Sequence, residues 1–416
     1  MALRHMTSAR LLLCLSLILT TATACTVREI SKQAAMVDNA AALKGTVEVE
    51  ADGDTGQIYV LLFRFTGTSL EAVSFQLLSE NGNYFFEVPP GKYTVGAFLD
   101  SDGDGKRSDG EWTTYLGEES RTASLIEIKD GQPETASVLR LKGLLTQVPE
   151  IPVVANFTAS VTNIGQLASL KDARFSIENS SIGLWRPADF LNTVGAGLFM
   201  LQEFESGKIP VIFVHGINGS PANFIEPIAS LDRDQFQPWV LHYPSGIRLD
   251  MVSDYFVQAV DQLQATQHFD EFYVVAHSMG GLMTRSFVYK YKQANSAARL
   301  SLLVTINSPL YGIESAAIGV KTSPLVLPVW RDVATDSDYV QRVHAKAWPS
   351  DFPYHLIFSY QEGKEGDGVV PLRSQLSRSL QREARKIHGF NAEHSAILKD
   401  PDFIAQLNQI LSQAQH

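Results

Sequence analysis

In the second half of the chain, apolar runs at residues 210–214, 239–243, 272–276, 300–306 and 355–360 are separated by stretches long enough for helices. Continuous apolar strands alternating with helices predict a mostly parallel sheet covered on both faces, an α/β domain over residues 208–416. The first half has a different rhythm. Short β-rich runs at 45–50, 57–65, 72–77, 84–88, 92–99, 124–128 and 137–141 are divided by turn clusters such as Asp52-Gly53-Asp54 and Pro89-Pro90-Gly91. That spacing predicts a small all-β antiparallel sandwich over residues 45–142. Residues 143–207 show one strand signal, at 173–177, and an apolar helix-like piece around 190–204, and read as a bridging segment. Residues 25–44 are polar and Ala-rich, the composition of a tether.

Length and charge narrow this picture. A chain of 416 residues exceeds the usual size of one core, so two domains are expected. A formal charge of −11 offers no basic face to a nucleic acid. Arg4 and Arg10 precede an apolar run at 11–19, followed by Ala22-Thr23-Ala24 and Cys25. This reads as a secretory signal over residues 1–24, its apolar run too short to span a bilayer. With Cys14 inside that run, cleavage leaves Cys25 as the one cysteine and no internal disulfide. The junction resembles the bacterial lipoprotein signal, although Ala22 stands where leucine is commoner. That resemblance implies lipidation of Cys25, a membrane anchor at the N-terminus and a cell-envelope location. Thr26, rather than an aspartate, points to the outer membrane. Plain secretion or a periplasmic location, with an incidental thiol, is the alternative.

The chemistry-bearing residues fall at the carboxyl ends of the expected strands, where functional groups of such sheets lie. Residues 272–281 end in Ala276-His277-Ser278-Met279-Gly280-Gly281, a strand running into a sharp turn with Ser278 at its apex. Small residues two positions either side, Ala276 and Gly280, allow the close approach of strand and helix that such a turn needs. Ser278 is the candidate nucleophile. After the 210–214 strand comes His215-Gly216-Ile217-Asn218-Gly219, a turn able to aim the Ile217 amide at a developing oxyanion, with the Met279 amide as second donor. Asp367, in Gly366-Asp367-Gly368, is the candidate acid, with Glu365 as fallback. His394 is the candidate base, with His388 as rival. His277 is excluded as base because it adjoins the nucleophile.

The order Ser278, Asp367, His394 is that of α/β-hydrolases. Together, Val-His-Gly-Ile-Asn-Gly, Ala-His-Ser-Met-Gly-Gly and Gly-Asp-Gly-Val-Val-Pro resemble α/β-hydrolase lipases, particularly bacterial lipases and the inositol-deacylase-like branch. Ala276 replaces the usual first glycine. The resemblance covers roughly residues 208–416. It implies an α/β-hydrolase domain that cleaves carboxylic esters, of lipids or other acyl groups, with nucleophile Ser278, acid Asp367, base His394, oxyanion amides Ile217 and Met279, and no cofactor for catalysis. Acyl transfer by the same triad, a non-catalytic envelope scaffold, and peptidase activity remain alternatives. Oligomeric state is not legible.

Two segments add expectations. Residues 100–111 place Asp100, Asp102, Asp104, the Lys106 carbonyl and Glu111 at the ligand spacing of an EF-hand loop, with glycine at the sixth position. A structural Ca²⁺ is expected there, set against the Asp/Gly-rich composition of any hairpin turn. The stretch from Phe86 to Asp104 looks like transthyretin-like or carboxypeptidase-regulatory-like sandwiches. Residues 310–350 form an apolar-rich insertion that can line an acyl pocket, act as a lid, or pack a cap against the sheet.

Overall fold

The computed structural model describes residues 27–50, 56–78, 80–120, 122–129, 131–144, 163–294, 296–349 and 352–414. Residues 1–24, read above as a signal, and Cys25 lie outside them. The sandwich is built from β1 (Ala41–Val49), β2 (Gln57–Phe65), β3 (Leu70–Leu78), β4 (Gly82–Val88), β5 (Gly91–Asp100), β6 (Thr113–Tyr115), β7 (Ile126–Ile128), β8 (Glu134–Thr135) and β9 (Leu139–Leu141). Its five-stranded sheet runs β3-β2-β5-β6 with β7 on β5, and its four-stranded sheet runs β4-β1-β8 with β9 also on β1. The strands of β2 and β5 are antiparallel, as expected from their turns, but β8 and β9 pair parallel to β1. The inner faces meet through Leu43, Val47, Val60, Leu62, Val95 and Leu99, all buried.

The second sheet has seven strands: β10 (Gly197–Met200), β11 (Ile209–Val214), β12 (Phe236–His242), β13 (Glu271–His277), β14 (Arg299–Ile306), β15 (Tyr354–Tyr360) and β16 (Lys386–Asn391), ordered β10-β12-β11-β13-β14-β15-β16. Only β10 is antiparallel to its neighbour; the rest pair parallel. Burial on both faces explains the unbroken apolar runs: Val211, Ile212, Phe213 and Val214 are each 0% exposed. One face packs on α5 (Leu249–Gln267) and α6 (Met279–Gln293) through Phe256, Leu282 and Phe287, and the other on α12 (Pro401–Gln413) through Phe403, Leu407 and Leu411.

Four sequence expectations are corrected. Residues 27–38 are a helix, α1, and not a tether, and β1 follows it directly. Ile30 and Val37 pack against the core of the second domain, and Ala34 is buried on the same helical stripe. Gln33 exchanges two hydrogen bonds with Asp189, at 2.9 and 3.0 Å. The bridging segment, where described, belongs to the second domain. Residues 173–175 are a 3-10 turn and not a strand, α2 (Ile177–Trp185) and α3 (Pro187–Thr193) follow, and the helix-like piece contains the edge strand β10. The second domain therefore starts before residue 208.

The 310–350 insertion holds α7 (Glu314–Thr322), α8 (Pro328–Val333) and α9 (Asp338–Ala345), after the short α4 (Ile225–Ala229) earlier in the domain. It is divided in behaviour. Leu327, Val329 and Val333 sink into the core, and buried Asp332 accepts from the Leu249 amide at 2.7 Å, pinning α8 to the start of α5. By contrast, α7 buries no residue and leaves Ile318 exposed. Helices α10 (Leu372–Gln375) and α11 (Arg378–Glu383) complete the set of described helices. No described helix is long and apolar enough to cross a membrane.

Candidate active site

Strand β13 delivers Ser278 to the C-terminal edge of the sheet and α6 begins one residue later, so the backbone must reverse within Ser278 itself. It does so at φ 55°, ψ −131°, a conformation that costs a non-glycine residue about 1–3 kcal/mol. The Ser278 amide is spent on the Ile306 carbonyl of β14 at 2.8 Å, which fixes the turn to the neighbouring strand. Two glycines make room. A Cβ on Gly216 would lie 2.7 Å from Ser278 Cβ, and one on Gly280 would meet the Val214 carbonyl at 2.8 Å. The small-residue requirement read from the sequence is thus real at Gly280, and it extends to Gly216 on the facing loop.

Asp367, expected in a loop at a strand end, follows β15 and is 1% exposed. Its Oδ1 accepts the Val369 and Val370 amides at 2.8 and 2.7 Å. Its Oδ2 faces His394 Nδ1 at 2.7 Å and Gln375 Nε2 at 3.2 Å. Every neighbour of this carboxylate is a donor, so His394 Nδ1 carries the proton and donates. His394 Nε2 is then the basic nitrogen, 2.8 Å from Ser278 Oγ. Three side chains separated by 89 and 27 positions therefore form one chain of hydrogen bonds, with Ser278 5% exposed. Glu365 is exposed and ion-paired with Arg373, and His388 sits on β16 stacked on His355, so neither rival reaches the serine.

Met279 is the first residue of α6, where backbone N–H groups have no acceptor within the helix and the helix dipole favours negative charge. Ile217 lies in the loop after β11, 37% exposed, followed by Asn218 at φ 52° with its amide held by Ser245 Oγ at 2.9 Å. The same loop is stiffened by His215, fully buried and stacked on Tyr243 at 4.2 Å. Burial pushes the His215 pKa down to about 4, so it stays neutral.

The sequence reading missed three supporting residues. Gln375, 1% exposed, donates to Asp367 Oδ2 and, at 2.9 Å, to the Val370 carbonyl, while accepting from the Ser359 amide at 3.2 Å. Asn307, 0% exposed at φ 48°, donates to the His394 carbonyl at 3.0 Å. His277 reaches the same carbonyl. Asn307, a polar residue just past β14, offers a faint sequence signal; Gln375 at the end of α10 and His277 at the end of β13 offer none.

In the sandwich, Asp100, Asp102 and Asp104 converge, their nearest oxygens all within 4.8 Å of one another. Each gives an oxygen to a loop amide: Asp100 to Gly103 and Gly105, Asp102 to the Asp104 amide, Asp104 to the Lys106 amide. Glu111 lies outside this group of three. It is 3% exposed, and its two oxygens accept the Ser101 and Ser108 amides at 3.0 and 2.8 Å, tying the loop ends together.

Residues 247–414 match a family model described as "Alpha/beta hydrolase of unknown function (DUF915)". The match contains Ser278, Asp367 and His394, and with the strand order it assigns the α/β-hydrolase fold, preceded by the strand-rich region. No curated protein matches the chain. Among solved structures, the Bacillus licheniformis lipase BlEst2 is 14% identical with a TM-score of 0.43, covering 51% of this chain and 97% of its own. The lin2722 gene product of Listeria innocua is 18% identical with a TM-score of 0.40, covering 50% and 94%. The Paleococcus ferrophilus monoacylglycerol lipase is 16% identical with a TM-score of 0.37, covering 53% and 99%.

Proposed function

We propose that the protein is a serine hydrolase of carboxylic esters, acting on lipid or other acyl esters through an acyl-enzyme on Ser278. One observation carries this reading: the unbroken hydrogen-bond chain from Asp367 through His394 to Ser278 at the C-terminal edge of the sheet. His394 Nε2 takes the Ser278 proton as Oγ attacks the ester carbonyl. Negative charge then develops on the carbonyl oxygen, where the Met279 and Ile217 amides receive it. Asp367, its other oxygen saturated by two amides, holds the imidazole in place and stabilises the imidazolium. His394 returns the proton to the leaving alcohol, then activates water to release the acid and regenerate the serine. The exposed Ile217, Val369 and Ile318 all follow strands that end at this edge, which favours an apolar acyl group over a polar one.

The loop of residues 100–111 would take a hard-oxygen cation such as Ca²⁺ through Asp100, Asp102, Asp104, the Lys106 carbonyl and Glu111, its role being to stiffen the hairpin; the convergence of the three aspartates supports this. Envelope placement through a lipidated Cys25 completes the proposal and is checked by the intact mass of the membrane-extracted protein.

Hydrolysis of a graded series of acyl esters tests the reading. Turnover by the wild-type chain, with free acid as product, and its loss in Ser278→Ala are expected. No turnover at any acyl length, or turnover surviving Ser278→Ala, overturns it.

A further inference from the structure

We infer that His277, together with Asn307, is a positioning residue for the base: the two side chains grip the backbone carbonyl of His394 and so hold its imidazole at Ser278. This rests on the hydrolase reading above. His277 Nε2 lies 2.9 Å from the His394 carbonyl oxygen and Asn307 Nδ2 lies 3.0 Å from the same atom. The His394 amide donates to the Asp367 carbonyl at 3.0 Å. The backbone of the base is thus held at both of its polar groups, independently of the bonds its ring makes.

The loop needs such a grip. It follows β16, the last strand of the sheet, none of whose residues is fully buried, and Glu393, Ser395 and Ala396 around the base are exposed. Packing of the loop itself therefore does little to fix the imidazole. The holding groups come instead from the buried end of β13 and from the residue just past β14. Asn307 is locked by its own amide, which donates to the Ile357 carbonyl at 2.9 Å, and its Nδ2 also bonds Ser359 Oγ at 2.6 Å. Consecutive residues act on one partner: Ser278 engages the side chain of His394 and His277 its backbone, so any drift of the loop away from β13 is opposed from both.

The chemistry of the contact fixes the proton. A carbonyl only accepts, so His277 Nε2 bears hydrogen. Burial and the neighbouring His394 ring, 4.9 Å away between centroids, push the His277 pKa down to about 3. A neutral His277 does not oppose the imidazolium that forms on His394 during acyl transfer.

The test compares His277→Leu, His277→Gln and Asn307→Ala with the wild-type chain. Competent sites are counted by exhaustive reaction with a fluorophosphonate probe, and kcat per counted site and KM are measured on a p-nitrophenyl acyl ester. His277→Leu is expected to lower kcat per site about tenfold or more with KM nearly unchanged. His277→Gln, which retains a donor, recovers part of that loss. Hydrogen exchange across residues 392–396 is expected to quicken in His277→Leu and Asn307→Ala. Unchanged turnover per counted site in His277→Leu, whatever its melting temperature, makes His277 a packing residue and overturns the inference. If the wild-type chain neither labels nor turns over esters, the hydrolase reading fails instead. Exchange then decides the grip by itself: faster exchange across 392–396 upholds it, and unchanged exchange removes it.

Discussion

Two aspartate-glycine loops, residues 100–111 on the sandwich and residues 366–371 at the edge of the hydrolase sheet, use the same local device to different ends. In both, a buried carboxylate accepts amides from residues just ahead of it. Asp100 gives both oxygens to its own loop, through Gly103 and Gly105. Asp367 satisfies its loop with Oδ1 alone and leaves Oδ2 to Gln375 and to His394, which arrives from another strand. A carboxylate whose oxygens are consumed locally organises a turn. One with an oxygen left for a distant imidazole can organise a reaction.

Exchanging the same atoms in both loops separates these roles most sharply. Asp367→Asn keeps the shape but sets an amide against His394 Nδ1, and kcat is expected to fall about 10⁴-fold. Asp100→Asn is expected to leave kcat unchanged, since its carboxylate touches nothing at the serine; steady-state kinetics on both variants is the check. The glycines give a second contrast. Gly216→Ala puts a methyl group against Ser278 Cβ and is expected to cost roughly 10²-fold in kcat, the scale of a misplacement near 1 Å. Gly103→Ala, at φ +74° with open space around it, is expected to cost about 1 kcal/mol in stability and nothing in turnover. Equal kinetic effects of the two alanines would erase the distinction.

The contact between the domains is expected to respond to pH. Glu87 of the sandwich is pushed up to about 7 by burial and by Asp254, with Lys290 opposing and Asp250 adding to the rise. Its folded pKa lies above its unfolded value of about 4.5, so its contribution to stability is complete below pH 4.5 and is lost as pH rises through about 7. Glu87→Gln removes that loss. It is expected to raise Tm by about 2–4 °C at pH 8 and hardly at pH 5, as thermal melts at the two pH values would show. The smallest effect concerns the hairpin: millimolar Ca²⁺ is expected to raise the wild-type Tm by about 1–2 °C and to leave Asp102→Asn unmoved. A rise in both would place the cation elsewhere.

Much of the second domain is legible in the sequence because a strand buried on both faces can only be written in apolar residues. Residues 210–214 and 272–276 fall inside β11 and β13 for that reason. Ser278, Asp367 and His394 stand out in the sequence because each lies in a glycine-rich or exposed loop beyond a strand, where chemistry rather than packing chooses the residue. The edges escape. With four residues and one neighbour, β10 carries no alternation to distinguish it from a helix, and β6 is only Thr113–Tyr115. The stripe Ile30, Ala34, Val37 is too weakly apolar to announce that α1 docks on the other domain. Nor can local pattern reveal Asn307 or His277, since their grip on His394 spans 87 and 117 positions.

The central claim is that Ser278 is a nucleophile activated by His394. Peptide mapping after reaction with a fluorophosphonate probe tests it most directly. The account predicts a single adduct on the peptide containing Ser278, formed at least about 10³-fold more slowly in a folded His394→Ala variant. An adduct on another residue, or labelling of Ser278 that proceeds as fast without the imidazole, would contradict it.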